Sequence, residues 1–131
     1  MSATAPPVAA LTLFVEDLSA ARGFYGDGLG LALVFEDEDS AVFRFANLLV
    51  NLLRVEAAAE LVSPLPVGGP DAGVRAQFTI EVDDVDEHCA ELARRGVALL
   101  NGPQDRPWGV RTAAFADPAG HVWELAGPIG S

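Results

Sequence analysis

The chain has 131 residues, of which 50% are hydrophobic, and this size and composition fit one compact domain. Its formal net charge of −11 argues against binding to nucleic acid or to an anionic membrane surface, because both would repel it. The acidic surface either favours cationic or neutral partners or serves only to keep the protein in solution.

The cellular compartment is indicated by the cysteine content and by the first residues. Cys89 is the only cysteine, so the chain cannot form an internal disulfide and gives no sign of an oxidising compartment. No basic residue precedes the first apolar stretch and no long hydrophobic run follows it, so we expect neither a signal peptide nor a membrane span. We therefore expect a cytoplasmic protein, with Cys89 in the core on the apolar side of a helix.

The first half of the chain predicts a strand, a helix and three further strands. Residues 8–15 alternate with period two, which is typical of a strand. Asp17 or Ser19 can cap the following helix, which ends near Gly30. Three more strands are predicted near residues 31–36, 41–46 and 48–55, with the acidic residues 36–39 at the first hairpin tip.

The second half predicts the same order of elements after a linker. Residues 56–73 contain several prolines and glycines and are predicted to form a loop, which is long enough to be functional or mobile. Asp84 and Glu87 have the spacing of a helix-capping pair, and Gly96 can end that helix. The predicted elements are a strand at 74–82, a helix at 85–95 and strands near 97–101, 110–116 and 121–126.

The two halves are related by an internal repeat. Thr12, Val15 and Asp17 each have a counterpart 67 positions later, at Thr79, Val82 and Asp84. Duplicated units of this kind pack on each other to bury their apolar faces, and their packing creates a cleft. We therefore predict an α+β fold with two βαβββ modules in tandem. The single domain, 1–131, is divided into a module at 8–55, a linker at 56–73 and a module at 74–126.

Several motifs resemble the vicinal oxygen chelate superfamily, which includes glyoxalase I, extradiol dioxygenases, fosfomycin resistance enzymes and bleomycin resistance proteins. They are Val15, Asp17, Leu18, Ala21, Phe24, Tyr25, Leu29 and Gly30 around the first helix, the strand end FTIEVDDVD, PWG at 107–109 and DPAGHVWEL at 117–125. The resemblance implies curved mixed sheets around a cleft that a second subunit often completes, so we expect a homodimer. It is specific for the fold and weak for the function, because one fold supports several chemistries.

The resemblance also implies which positions would hold a metal. In metal-using relatives four side chains enter the cleft, and these positions correspond to Ala10, Asn51, Gln77 and Glu124. A catalytic divalent metal usually has about three ligands chosen from imidazole, thiolate and carboxylate. Of the four residues only Glu124 is anionic. We therefore expect no metal cofactor, and we expect the histidines His88 and His121 to be structural or surface groups.

The metal-free relatives that the sequence resembles are of the bleomycin-resistance type, which bind a drug stoichiometrically. This resemblance implies a ligand site with Trp108 near its mouth. Aromatic side chains and the negative charge would suit a planar or aromatic compound, which could also be cationic. The predicted ligand contacts are Phe35, Phe43, Phe45, Leu49, Asn51, Leu53, Gln77, Trp108, Arg111 and Glu124. Of these, Phe43, Phe45, Leu49 and Leu53 are expected on the face of Asn51.

Each of these residues also has an alternative structural role. Trp108 could fill a loop, and Phe43 and Phe45 could belong to the core or to a subunit contact. Asn51 and Gln77 could hydrogen bond to each other.

Glu124 could form an ion pair with Arg111 or with Arg106, or it could act as an acid or base without a metal.

The main hypothesis is a metal-independent protein that sequesters an antibiotic-like, hydrophobic or aromatic natural product and so confers resistance. The alternatives are a metal-dependent lyase, isomerase or dioxygenase of the glyoxalase type, and an interaction subunit with a filled cleft.

Overall fold

A computed structural model describes residues 5–130, so the domain limits at 1 and 131 lie outside the described residues. The first module consists of β1 (Ala10–Val15), α1 (Leu18–Gly23) with a π-helical turn (Phe24–Gly28), β2 (Ala32–Glu36), β3 (Ser40–Arg44) and β4 (Leu49–Arg54). The segment between the modules contains α2 (Val55–Val62) and a 3₁₀ turn (Pro70–Ala72). The second module consists of β5 (Gln77–Glu81), α3 (Val85–Arg94), β6 (Leu99–Asp105), β7 (Arg111–Ala116) and β8 (Val122–Gly127). The predicted α+β class and tandem βαβββ order are confirmed.

Each module forms a four-stranded mixed sheet, and the two sheets have the same strand order. Sheet A has the order β1-β4-β3-β2, and sheet B has the order β5-β8-β7-β6. In both, the first strand of the module pairs in parallel with the last, while the other pairs are antiparallel. The sheets do not close, so β1 and β5 are edge strands whose outer backbone groups are not paired within their own sheets.

The two main helices begin at equivalent aspartates. Asp17 Oδ1 accepts a hydrogen bond from the backbone N–H of Ala20 at 3.0 Å, and Asp84 Oδ1 accepts one from the N–H of Glu87 at 3.1 Å. Each carboxylate satisfies an N–H group that has no partner within the helix. Gly96, with a φ of +84°, follows the end of α3 in the left-handed conformation. The two modules are therefore similar in their helix caps as well as in their sequences. Of the two candidate caps of α1, Asp17 rather than Ser19 makes the capping hydrogen bond.

One hydrophobic core lies between the two sheets. The ring centroid of the fully buried Tyr25 lies 6.1 Å from that of Phe43 in sheet A and 6.2 Å from that of Trp123 in sheet B. Phe24 similarly contacts Phe115 of sheet B, at 6.1 Å. Because these aromatic residues contact one face of each sheet, we call those the inner faces. The opposite faces, here called the outer faces, point away from the common core.

A hydrogen-bonded chain within this core joins the modules. Tyr25 Oη donates to Asp117 Oδ2 at 2.6 Å and accepts from Trp123 Nε1 at 3.0 Å. His121 Nδ1 lies 2.9 Å from the same carboxylate oxygen, and the backbone N–H groups of Ala119 and His121 donate to Asp117 Oδ1. Burial alone would raise the pKa of the Asp117 carboxyl, but the hydrogen bonds from His121 and Tyr25 outweigh burial and lower that pKa.

The structure corrects the prediction of a loop over residues 56–73. Residues 55–62 form α2, which packs against β1 and β4 with Ala58 fully buried. Its sequence, VEAAAELV, consists mainly of good helix formers, and the first proline of the segment comes only at Pro64. The prolines and glycines that indicated a loop are confined to the part of the segment after α2.

The helices also bear on the expectations for Cys89 and for a membrane span. Cys89 is buried as a free thiol on α3, as predicted. No helix among residues 5–130 is long and apolar enough to cross a lipid bilayer.

Candidate ligand-binding site

The four positions that correspond to metal ligands in relatives lie on outer faces. Thr12 of β1 pairs with Asn51, and strand alternation places Ala10 on the same outer face of sheet A. Thr79 of β5 pairs with Glu124, so Gln77 shares the outer face of sheet B. Because both inner faces pack on one core, the two outer faces point in different directions. One chain alone therefore does not bring the four positions together.

The chemistry of these four residues does not fit a catalytic metal. Glu124 Oε1 accepts a hydrogen bond from Thr79 Oγ1 at 2.9 Å, whereas Ala10 offers no donor atom. Asn51 Oδ1 is buried without a hydrogen-bond partner among residues 5–130, so Asn51 and Gln77 do not satisfy each other. Within the same range, no group of three or more His, Cys, Asp and Glu side chains could hold a metal ion. A metal site of the usual kind needs about three such ligands.

The expected contacts of Arg111 need correction. Its guanidinium bridges Asp86 on α3, at 3.1 Å, and Asp105, at 2.9 Å. Arg111 is therefore directed toward α3 rather than toward Glu124, and its role as a ligand contact stays a prediction. Arg106 does not pair with Glu124 either, because its Nε donates to Thr112 Oγ1 at 2.8 Å.

Phe35, Leu49 and Leu53 share the outer face of sheet A with Asn51. Phe35 pairs with Val42, and Val42 pairs with Asn51, so these three lie in one row across the sheet. Leu49 and Leu53 lie two residues to either side of Asn51 on β4 and have the same orientation by alternation. This outer face also carries Thr12, Ser40 and Arg44, so it mixes apolar and polar side chains, and Phe35 on it is 54% exposed.

Phe43 and Phe45 lie on the other side of the sheet from Asn51, contrary to expectation. Phe43 pairs with Val50, is 1% exposed and belongs to the core. Phe45 stacks on Trp123, with ring centroids 5.3 Å apart and an interplanar angle of 27°. The alternation of β4 does not continue through the turn into β3, because the turn sets the register between the two strands independently.

Phe45 and Trp123 line a cavity that we call the edge groove. It has a volume of about 650 Å³ and runs along the free edge of β5. Its apolar walls are formed by Val8, Leu11, Phe45, Leu48, Phe78, Ile80 and Trp123, and its polar groups come from Asn47, Gln77, Thr79 and Glu81. Of the predicted contacts only Phe45 and Gln77 lie here. Trp123, Phe78 and Glu81 were missed, because nothing local in the sequence shows that β5 is an edge strand.

Trp108 lies beside the outer face of sheet B rather than in the edge groove. It belongs to the turn between β6 and β7 and is 69% exposed. The guanidinium carbon of Arg106 lies 5.9 Å from the centre of its ring, and Arg106 in turn bonds to Thr112. Thr112 and Glu124 share the outer face of sheet B through the β7–β8 register. The Trp108 indole is therefore held beside the outer face of sheet B through Arg106, with most of its surface free for stacking.

The acidic hairpin at 36–39 is partly neutralised by arginines. Arg22 pairs with Glu36 at 3.1 Å, and Arg54 pairs with Asp39 at 3.1 Å. Asp37 accepts hydrogen bonds from the backbone N–H of Asp39 and from Ser40, and these bonds lower its pKa. The hairpin is thus a hydrogen-bonded turn with some residual negative charge next to Phe35.

Comparisons with known proteins agree with this architecture. The family model for the Glyoxalase/Bleomycin resistance protein/Dioxygenase superfamily matches residues 8–125. A crystal structure of a glyoxalase/bleomycin resistance protein/dioxygenase from Nocardioides has a TM-score of 0.83 and 24% identity, covering 99% of this chain and 91% of that one. TnmS3, an antibiotic binding protein from Streptomyces sp. CB03234, has a TM-score of 0.72 and 28% identity, covering 97% and 99%. A lactoylglutathione lyase from Agrobacterium tumefaciens has a TM-score of 0.74 and 25% identity, covering 93% and 95%.

Proposed function

Because the chain belongs to the glyoxalase/bleomycin resistance protein/dioxygenase superfamily, we propose that it binds and sequesters a small aromatic or hydrophobic compound without a metal. The observation that carries this proposal is the edge groove, in which the stacked Phe45 and Trp123 form an apolar wall beside a few polar groups. Ligand sites are typically of this kind, mostly apolar with a small number of polar groups that fix orientation. We place this activity in the cytoplasm.

The chemistry of the groove indicates the class of ligand. Flat aromatic rings stack favourably on Phe and Trp, and Glu81 and the net charge of −11 favour a cationic group over an anionic one. The similarity to the antibiotic binding protein TnmS3 supports an antibiotic-like natural product. Resistance would then follow from stoichiometric sequestration.

We further propose that two copies associate and complete the site. The outer faces of sheets A and B point apart within one chain, and Asn51 Oδ1 is buried without a partner among the described residues. A second copy that packs its sheet B against sheet A of the first would bring Asn51, Gln77, Glu124 and Trp108 around one closed cleft. Phe35, an exposed aromatic side chain on edge strand β2 and on the outer face of sheet A, would be covered by such an interface.

Phe35→Glu is expected to weaken self-association at least 100-fold, because a charge would replace an exposed aromatic side chain at the interface. Sedimentation velocity over a range of protein concentrations measures the change. Leu65→Glu is the matched control, since Leu65 is 71% exposed in the segment after α2 and its change adds the same charge. Equal effects of the two substitutions, or a monomeric unmodified protein, would contradict the proposed dimer.

Metal-free protein is expected to show no thermal stabilisation on addition of Zn²⁺, Ni²⁺ or Mn²⁺, because the four candidate positions supply one carboxylate. A metal present at 100 times its Kd would add about 2.7 kcal/mol to the free energy of unfolding, which raises the Tm by several degrees. Differential scanning calorimetry with each metal tests this. A rise in Tm that Glu124→Gln abolishes would reject metal independence.

Such a result would favour the second candidate function, a metal-dependent lyase, isomerase or dioxygenase of the glyoxalase type. The similarity to the lactoylglutathione lyase, at 25% identity, is the observation that supports it. Glu124 and Gln77, together on the outer face of sheet B, would then be the first ligands to examine.

A further inference from the structure

A second cavity, here called the junction pocket, lies where the two modules meet. Its volume is about 270 Å³, and among residues 5–130 it shares only Phe78 with the edge groove. It is lined by Phe14 and Glu16 at the end of β1, by residues 68–70 and 72–76, and by Ala119, Gly120 and His121 in the turn between β7 and β8. This volume lies just below the range of about 300–1,000 Å³ typical of drug-sized ligands, so the pocket suits a smaller molecule.

His121 presents a fixed imidazole to the junction pocket. Its Nδ1 donates to the Asp117 carboxylate at 2.9 Å, and that carboxylate is fully buried and held by Tyr25 and by two backbone N–H groups. A carboxylate behind one ring nitrogen orients the imidazole and leaves Nε2 as the nitrogen available to a ligand. The His121 side chain is 26% exposed, so it is accessible.

The junction pocket also contains two charged side chains without ion-pair partners. Five of the eight arginines, Arg22, Arg54, Arg94, Arg95 and Arg111, form salt bridges. Arg75 is one of the three arginines, with Arg44 and Arg106, that have no carboxylate within 4.0 Å among residues 5–130. Glu16 has no basic partner in the same range, yet both residues line the same pocket.

We propose that the junction pocket binds a small zwitterion, an α-amino carboxylate with an apolar side chain. Arg75 would bind its carboxylate and Glu16 its ammonium group, while the apolar side chain would pack on Phe14 and Phe78. His121 Nε2 would accept a further hydrogen bond from the ammonium group. A net charge of −11 opposes the binding of a simple anion, whereas a zwitterion carries no net charge and uses both unpaired side chains.

The test uses L-phenylalanine as the probe and NMR of the two histidine rings as the readout. The chain has only two histidines, and His88 lies exposed on α3, outside the junction pocket, so it serves as an internal reference. Saturable shifts of the His121 resonances with His88 unchanged are the expected result. Binding that does not move His121, or no binding up to the solubility limit of phenylalanine, would overturn the proposal.

Charge variants and ligand analogues test the roles of Arg75 and Glu16 separately. By calorimetry, Arg75→Gln is expected to weaken phenylalanine binding at least tenfold, whereas Arg94→Gln, an equal change of charge on the exposed side of α3, leaves it unchanged. Removing the ammonium group, as in 3-phenylpropionate, should weaken binding as much as Glu16→Gln does. Equal effects of Arg75→Gln and Arg94→Gln, or undiminished binding of 3-phenylpropionate, would overturn the assignment.

Discussion

Asp117→Ala is expected to lower the free energy of unfolding by about 3–5 kcal/mol, which is among the largest effects of a single substitution. The side chain is fully buried and accepts hydrogen bonds from Tyr25, from the His121 ring and from the backbone N–H groups of Ala119 and His121. Alanine would leave these donors without an acceptor, and each buried unsatisfied group costs about 1–3 kcal/mol. Because Tyr25 belongs to the first module, the substitution also removes a link between the modules.

Urea denaturation followed by tryptophan fluorescence measures this effect. Asp27→Ala is the matched control, because Asp27 is exposed and its carboxylate makes no hydrogen bond or ion pair within residues 5–130. The control is expected to change stability by less than about 0.5 kcal/mol. A loss below about 1 kcal/mol for Asp117→Ala would show that the hydrogen-bonded chain does not stabilise the fold.

The pH dependence of stability gives a second measurement on the same group. The pKa of Asp117 is lower in the folded protein than its ordinary value of about 3.9 in an unfolded chain. The unfolded state therefore binds the proton more readily, so the stabilisation is complete above about pH 4 and is lost as the pH falls through the folded value. Asp117→Asn should reduce the dependence of the free energy of unfolding on pH in this range. An unchanged loss of stability at acid pH would contradict the assignment of this dependence to Asp117.

The order of elements could be predicted from the sequence because it depends on local signals. Period-two alternation indicated the strands, and Asp17 and Asp84 indicated the starts of equivalent helices, since each bonds to an N–H three residues away. The helix α2 was missed for a related reason. Its helix-forming residues are followed directly by prolines and glycines, so the composition of 56–73 as a whole indicates a loop.

The candidate site was harder to predict because it depends on relations between distant strands. Alternation correctly placed Asn51 relative to Leu49 and Leu53 on one strand, but it could not relate Asn51 to Phe43 across a turn. Glu124 lies on the outer face of sheet B, and adjacent residues of a strand point to opposite faces, so Trp123 faces the core. It lines the edge groove only because β5 forms the edge of sheet B, and strand order within a sheet is not a local property of the sequence.

Fluorescence can test the edge groove directly, because the chain has two tryptophans and Trp123 is the one that lines it. In the Trp108→Phe variant all tryptophan emission comes from Trp123. Saturable quenching by bleomycin or by the planar cation proflavine is expected to persist in this variant. If quenching is lost, the ligand contacts Trp108 on the outer face of sheet B, and the assignment to the edge groove is wrong.

In this Trp108→Phe background, Phe45→Ala is expected to weaken binding of the same probe about 10- to 100-fold. Loss of an aromatic contact with a buried ligand costs about 1.5–3 kcal/mol, and each 1.4 kcal/mol corresponds to a factor of ten.

The substitution also removes a stacking contact with Trp123, so a control must separate binding from stability. Phe24→Ala serves this purpose, because Phe24 packs on Tyr25 and Phe115 in the core and does not line the edge groove. Both variants are expected to unfold at lower urea concentration, whereas only Phe45→Ala should raise the Kd measured below both unfolding transitions. An equal loss of affinity in the two variants would mean that a loosened core, rather than the removal of a groove contact, weakens binding.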